Sequence, residues 1–302
     1  MKYSIYKLEF QTGVHFGKGM LNDSACTFKA DTLFSALYIE ARKAGVEEQF
    51  YQSVISGQLL FSDAFPYVGN QYMIPKPMLY IETDKKGDSL LKKKFKSLKF
   101  FPVEQLEAYM SGNMELDVNP MDDFGVFEQK TVAAVRKDEE TLPYQVGTYY
   151  YKQGNGLYII VGYCSDKNVQ MAEDLLSSVS LCGIGGKKSS GLGKFMLKKG
   201  KENKALLERL QGQDRYSMLL STALPMENEM AIALEGASYL LEKRSGFVAS
   251  DTYAEEFRRK KDLYVFASGS CFINRFSGGV YDVSEGGCHP VYRYAIPLFM
   301  GV

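Results

Sequence analysis

The run that decides the fold is residues 157–198, LYIIVGYCSDKNVQMAEDLLSSVSLCGIGGKKSSGLGKFMLK. Leu157 to Tyr163 is apolar at almost every position and strand-sized, the pattern of a strand covered on both faces. Asp166 then opens a helix with Val169, Ala172, Leu176 and Val179 on one stripe and Gly183 just past its end. Phe195 to Lys198 reads as a short strand. Working outward, residues 3 to 10 alternate, with Tyr6, Leu8 and Phe10 on one face and Lys7 and Glu9 on the other, which makes a half-buried strand. Asp31 or Thr32 is placed to cap a helix carrying Leu33, Phe34, Leu37, Ala41 and Ala44, closed by Gly45. Strand, helix, two central strands, helix and strand make a split βαβ, ferredoxin-like unit, stretched here by an insertion over about 85–151.

The segment KKGKENKALLERLQGQDR is polar and marks a boundary, so the expected domains are 1–204 and 205–302. Beyond it, Arg215 to Leu224, Leu263 to Ile273 and Val291 to Met300 read as strands, with a helix around Glu229 to Leu234. The expected fold class is therefore α+β: two tandem ferredoxin-like (RRM-like) domains, the first bearing the insertion.

Composition excludes several classes. The chain has 302 residues, 45% apolar and 24% charged, which is globular rather than disordered or fibrous. No stretch approaches the roughly 18 consecutive apolar residues of a membrane span, and MKYSIYKLEF is no signal peptide. Five scattered cysteines without a CxxC pair argue against a disulfide framework or zinc site and for a reducing cytoplasm. Only two histidines are present, so neither a metal nor a cofactor is expected.

Net charge is zero, yet charge is segregated. Residues 85–99 hold seven lysines and one acid, 100–129 seven acids and no base, and 183–204 seven lysines and one acid. Single-sign blocks suit surfaces that meet different partners, although Lys92 to Lys99 reads better as a solvated loop; the acidic stretch reads as a protein-facing surface, or more plainly as a solvated insertion. In the last block, Gly183, Gly185, Gly186, Lys187, Lys188, Ser189, Ser190 and Gly191 lie between a helix and a strand. Glycines let successive amides approach one anion, and the lysines and hydroxyls fit a nucleic-acid backbone. The plainer reading is a helix C-cap and a flexible turn. The run is no nucleotide P-loop, because Lys188 follows Gly186-Lys187 where Ser or Thr is required, and Leu181 stands where its first glycine belongs. A second glycine element, His15, Phe16, Gly17, Lys18 and Gly19, follows the first strand and should flank the same groove. His15 has no nucleophile or carboxylate at a triad spacing, so catalysis is not expected of it.

The runs VHFGKG, FKADTLFSAL and GIGGKKSSGLGKF, with SGF at Ser245, Gly246 and Phe247 and KDLYVFASGSCF at Lys261 to Phe272 (containing Gly269 and Ser270), follow one another in a distinctive order. In them the chain resembles the RAMP proteins of CRISPR effector complexes, most of all the fourth subunit of the type III-A (Csm) complex. The resemblance implies a non-catalytic, RNA-binding subunit of a ribonucleoprotein for antiviral defence. It would cap the assembly, hold the 5′ handle of the crRNA, and bridge the large polymerase-like signalling subunit and the first backbone RAMP subunit, with no membrane partner. It also implies a β-hairpin thumb acting indirectly on target RNA. Thr131 to Tyr151 is the candidate, with Lys130 and Arg136 meeting phosphates. Two rivals remain: a RAMP-type endoribonuclease using His15 or Asp23, and a protein-only scaffold, which neutral charge favours.

Overall fold

The computed structural model describes residues 1–81, 89–116, 118–134, 142–212, 214–250 and 252–302. The first half runs β1 (Lys2–Phe10), α1 (Ala30–Ala44), α2 (Glu47–Ile55), β2 (Leu59–Phe61), β3 (Phe65–Val68), β4 (Gln71–Pro75), α3 (Ser89–Ser97), β5 (Phe100–Pro102) and α4 (Leu106–Met110). It continues through β6 (Gly125–Ala134), β7 (Leu142–Tyr151), β8 (Asn155–Tyr163), α5 (Asp166–Cys182) and β9 (Phe195–Lys199). The second half comprises α6 (Lys204–Gln211), β10 (Ser217–Leu219), α7 (Met230–Leu234), β11 (Leu241–Arg244), β12 (Leu263–Phe266), β13 (Cys271–Phe272), β14 (Gly279–Asp282), β15 (Tyr292–Ala295) and β16 (Phe299–Gly301).

β8 is the spine of the main antiparallel sheet, ordered β5-β4-β3-β8-β1-β9. Strand β2 pairs with the far end of β8 (Phe61↔Val161) and β3 with its start (Phe65↔Tyr158), so the two act as one interrupted strand. Sheet residues Tyr6, Leu8, Leu157, Ile159 and Val161 pack with Leu33 and Phe34 of α1 and Leu175 and Leu176 of α5. Ile5, Tyr158 and Ile160, on the opposite face, join Leu106 of α4, Leu206 and Leu210 of α6, and Met218, Leu298 and Met300. Burial on both faces is why β8 reads as an unbroken apolar run. It also buries Tyr67, Tyr72 and Tyr158, so the sheet offers no aromatic platform of the kind RRMs use to stack bases.

Several expectations change. Asp31 and Thr32 do not cap α1: Lys29 occupies the N-cap, and the Ala30 N–H donates instead to Asp63 Oδ1 at 2.9 Å. The acidic stretch is no solvated insertion. Phe101, Val103, Leu106, Tyr109, Met114 and Leu116 enter the core while β5 extends the sheet on β4, leaving carboxylates such as Glu107 outside, paired with Arg209 at 3.1 Å. The second half does not assemble one ferredoxin-like sheet among the described residues. It has a three-stranded sheet, β13-β10-β16, and two ribbons, β11-β12 and β14-β15. Tyr294 from β15 completes the first core and donates its hydroxyl 3.4 Å from Phe61 O, so the halves share their interior.

Candidate RNA interface

Three segments meet beyond the end of β1. The first is the β6–β7 hairpin, paired in register from Gly125↔Tyr151 to Ala134↔Leu142, so its outgoing arm starts six residues before Thr131. The inner edge of β7 bonds to the β1–α1 connection: Val14 and Tyr149 exchange N–H···O bonds of 2.9 Å each, and Gly147 N–H donates to Leu21 O at 2.9 Å. A Cβ on Gly147 would lie 2.7 Å from Asn22 O, which fixes glycine there. Phe10 stacks on Tyr151 at 5.0 Å, Phe124 meets Tyr151 edge-on at 5.3 Å, and burial pushes both the Tyr149 and Tyr151 phenols up. The hairpin thus stands on an aromatic base, while β6 is exposed from Val126 to Ala133.

The second segment is the glycine loop leaving α5. Gly186 N–H donates to His15 O at 2.9 Å and Gly193 N–H to Gly13 O at 3.0 Å. Side chains have no room here: a Cβ would lie 2.7 Å from His15 O at Gly185, 2.6 Å from His15 Cδ2 at Gly186 and 2.1 Å from Ile184 O at Gly193. Lys187 has φ 58°, the sole positive φ outside glycine among the described residues. The backbone N–H groups of Lys187, Lys188 and Ser189 make no hydrogen bond among the described residues, and Lys188, Ser189 and Ser190 are exposed. Lys187 Nζ reaches Tyr144 of the hairpin, 3.3 Å from its hydroxyl and 4.8 Å from its ring centroid.

The third segment is the His15–Gly19 loop, and the structure divides it. His15 is 7% exposed, with Nδ1 2.7 Å from Gly147 O, so its ring braces the hairpin against the glycine loop. Phe16 packs edge-on against Phe28 at 5.1 Å. Gly17, Lys18 and Gly19 are exposed, and Lys18 lies 3.9 Å from Asp23. Asp23 Oδ1 also accepts the Ser24 N–H at 2.8 Å.

The remaining candidates separate. Lys130 is exposed on β6, with Nζ 4.8 Å from the Tyr150 ring centroid, and belongs to the cluster. Arg136 lies outside the described residues. Gly269 and Ser270, expected at the ligand surface, are buried: Gly269 O accepts the Met78 N–H at 2.8 Å and Ser270 Oγ the Leu240 N–H at 3.3 Å. They form a seam between the halves. Ser245, Gly246 and Phe247 lie in the second half, where Phe247 pairs with Arg259. Sequence reasoning passed over Tyr144 and Gly147. The second had a signal, since a lone glycine in the strand QVGTYYY marks a close backbone approach. No group of three or more His, Cys, Asp or Glu side chains is placed to hold a metal among the described residues. What the cluster presents is exposed Lys18, Lys130 and Lys188 beside free amides. Cations beside unbonded amides are the groups that suit an anion such as a phosphate.

A family model described as the CRISPR Csm4 C-terminal domain matches residues 212–302. The chain is 37% identical over 307 residues to the "CRISPR system Cms protein Csm4" of Mycobacterium tuberculosis, covering 100% of this chain and 98% of that one. It is 35% identical over 308 residues to the protein of the same description in Streptococcus thermophilus, covering 99% and 98%. Two solved structures share the fold. One is a Csm3–Csm4 subcomplex of the type III-A interference complex (TM-score 0.67, 16% identity, 100% and 99% coverage). The other is a Csm1–Csm4 cassette with pppApA (TM-score 0.62, 18% identity, 100% and 98% coverage).

Proposed function

This chain belongs to the Csm4 family of type III-A CRISPR complexes, and on that premise we propose that it is the non-catalytic subunit that holds the 5′ handle of the crRNA. One observation carries the reading: the Gly17–Gly19 tip, the Lys187–Ser190 tip and the β6–β7 hairpin are locked together through His15, Gly147 and Lys187–Tyr144. A rigid, lysine-bearing rim with free amides suits a bent single strand held by its phosphates. The hairpin beside it is the thumb of this reading, acting on the RNA–target duplex. A ferredoxin-like first half, with a second half made of a three-stranded sheet and two ribbons, goes with it.

The absence of catalysis is part of the proposal. The His15 ring is enclosed and bonded to Gly147 O, and the Asp23 carboxylate is engaged by Lys18 and its own loop. Neither is presented to a phosphodiester. The relatives solved with Csm1 and with Csm3 support a bridging place between the large subunit and the backbone. The test is purification of the assembled complex followed by sequencing of its RNA. Intact complex should yield crRNA with protected 5′ ends, and Lys187→Ala/Lys188→Ala should expose those ends to nuclease. Unchanged protection in that variant would refute the assignment.

A further inference from the structure

The second half carries an exposed aromatic and basic face that the loop cluster does not include. Segments 246–248 and 258–260 form a short antiparallel ladder: Val248 N–H donates to Arg258 O at 3.0 Å and Lys260 N–H to Gly246 O at 2.8 Å, flanking the bridge Phe247↔Arg259. Bonds on either side of a pair, and none within it, define the non-hydrogen-bonded position, where opposed side chains stand closest on one face. Phe247 is 62% exposed there and Arg259 is exposed beside it. Phe257 and Lys261 sit two residues to either side of Arg259 and are exposed too, Phe257 at 89%. Neither Arg259 nor Lys261 is in an ion pair among the described residues.

The opposite face is anchored. Val248, Tyr253, Val283 and Val291 make a small core beneath the ladder, and Lys261 N–H donates to Val283 O at 2.9 Å. Arg293 ties the ladder to the start of α1, with Nη1 on Asp31 Oδ2 at 2.8 Å and Nη2 on Ser245 O at 3.4 Å. Glu255 and Glu256 line a shallow hollow with Arg258 instead. Two outward phenylalanines beside a guanidinium and an ammonium without an ion pair among the described residues have one common use: bases stack on the rings while phosphates meet the cations.

We propose that Phe247, Phe257, Arg259 and Lys261 form a second binding site for single-stranded RNA, a stacking platform separate from the loop cluster. The inference rests on the RNA-binding reading above, so its test is built to fail separately. The full-length chain is titrated with a fluorescein-labelled ten-nucleotide single-stranded RNA, with and without abasic positions, at two salt concentrations. Phe247→Ala/Phe257→Ala should weaken binding by about 5- to 150-fold per stacked base lost, with the salt slope kept. Abasic RNA should erase most of that difference, and Phe247→Trp/Phe257→Trp should restore affinity. Arg259→Ala/Lys261→Ala should lower the salt slope by about 1.4. All four side chains point outward, so melting temperatures should match the parent within about 1 °C. If the aromatic variant binds normally while Lys187→Ala/Lys188→Ala is weakened, the platform is refuted and the loop site stands. If both bind normally, the RNA-binding reading falls and takes the platform with it. Loss of binding to a polyglutamate peptide with RNA binding intact would assign the face to an acidic protein and overturn the proposal.

Discussion

Replacing Asp31 with alanine should destabilise the whole chain, and the geometry says by how much. The carboxylate is 5% exposed and accepts from Arg244 Nε at 3.0 Å, Arg244 Nη2 at 2.8 Å and Arg293 Nη1 at 2.8 Å. Burial alone would raise its pKa, but the charges and hydrogen bonds of Arg244, together with Arg293, bring it down to about 2. Removing one partner of a buried pair strands the other, at a cost of about 3–5 kcal/mol. Here the stranded group includes Arg293, 4% exposed, whose Nε already lacks a partner. At roughly 2–4 °C per kcal/mol, Tm should fall by about 6–20 °C in a thermal melt. A helix cap at this position would be worth only about 1 kcal/mol and would be indifferent to the arginines. In an Arg244→Met/Arg293→Met background, Asp31→Ala should therefore cost much less. The pH dependence has a definite sign. A carboxyl whose folded pKa lies below its ordinary 3.8 stabilises the fold above pH 4, and that contribution, about 2 kcal/mol, is lost as pH falls towards 2. A Tm change under 2 °C, or an equal cost in the methionine background, would refute the clamp.

Gly186→Val should lower Tm by the equivalent of about 1–3 kcal/mol, since its Cβ would meet His15 Cδ2 at 2.6 Å; Gly191→Ala, with open space around it and φ 83°, should cost about 1 kcal/mol, and equal melts would deny the packing. Lys187→Ala/Lys188→Ala should weaken RNA binding alike for all sequences and reduce the salt slope by up to about 0.7 per lost contact, so a sequence-dependent loss would contradict phosphate contact. Purified protein should leave repeat-containing RNA uncut with or without magnesium. Cleavage abolished by His15→Ala or Asp23→Ala would establish the nuclease reading instead.

Legibility in the sequence followed the range of the interaction. The β8 run and the α5 stripe were readable because each is written in consecutive residues, and Ser165, one residue before Asp166, closes α5 by accepting the Asn168 N–H at 3.2 Å. Asp31 was misread as a cap because its partners, Arg244 and Arg293, stand 213 and 262 positions away. Locally, an acid at a helix start looks like a cap whatever it later touches. The acidic stretch misled differently. Counting charges hid Phe101, Leu106 and Tyr109, which a helix turn and an edge strand place on one buried side.

The glycine loop shows why the site was only half legible. Closing backbone against backbone and cradling an anion both demand the absence of Cβ, so five glycines in a row of fourteen residues cannot say which they serve. The position of the missing Cβ separates the uses. At Gly183, Gly185, Gly186 and Gly193 it would collide with Leu192, His15 or Ile184, so these glycines let the loop press on its neighbours. At Gly191 nothing lies within 4 Å, and only the positive φ is required. The amides without a partner among the described residues fall instead on Lys187, Lys188 and Ser189, residues whose charged and hydroxyl side chains drew attention. Packing by the glycines holds that short turn in place, and in the proposed function the anion-facing groups belong to the three residues between them. Mutations in the two groups should therefore diverge: glycine substitutions should move Tm first, and substitutions at Lys188 should move RNA affinity first, with Tm unchanged.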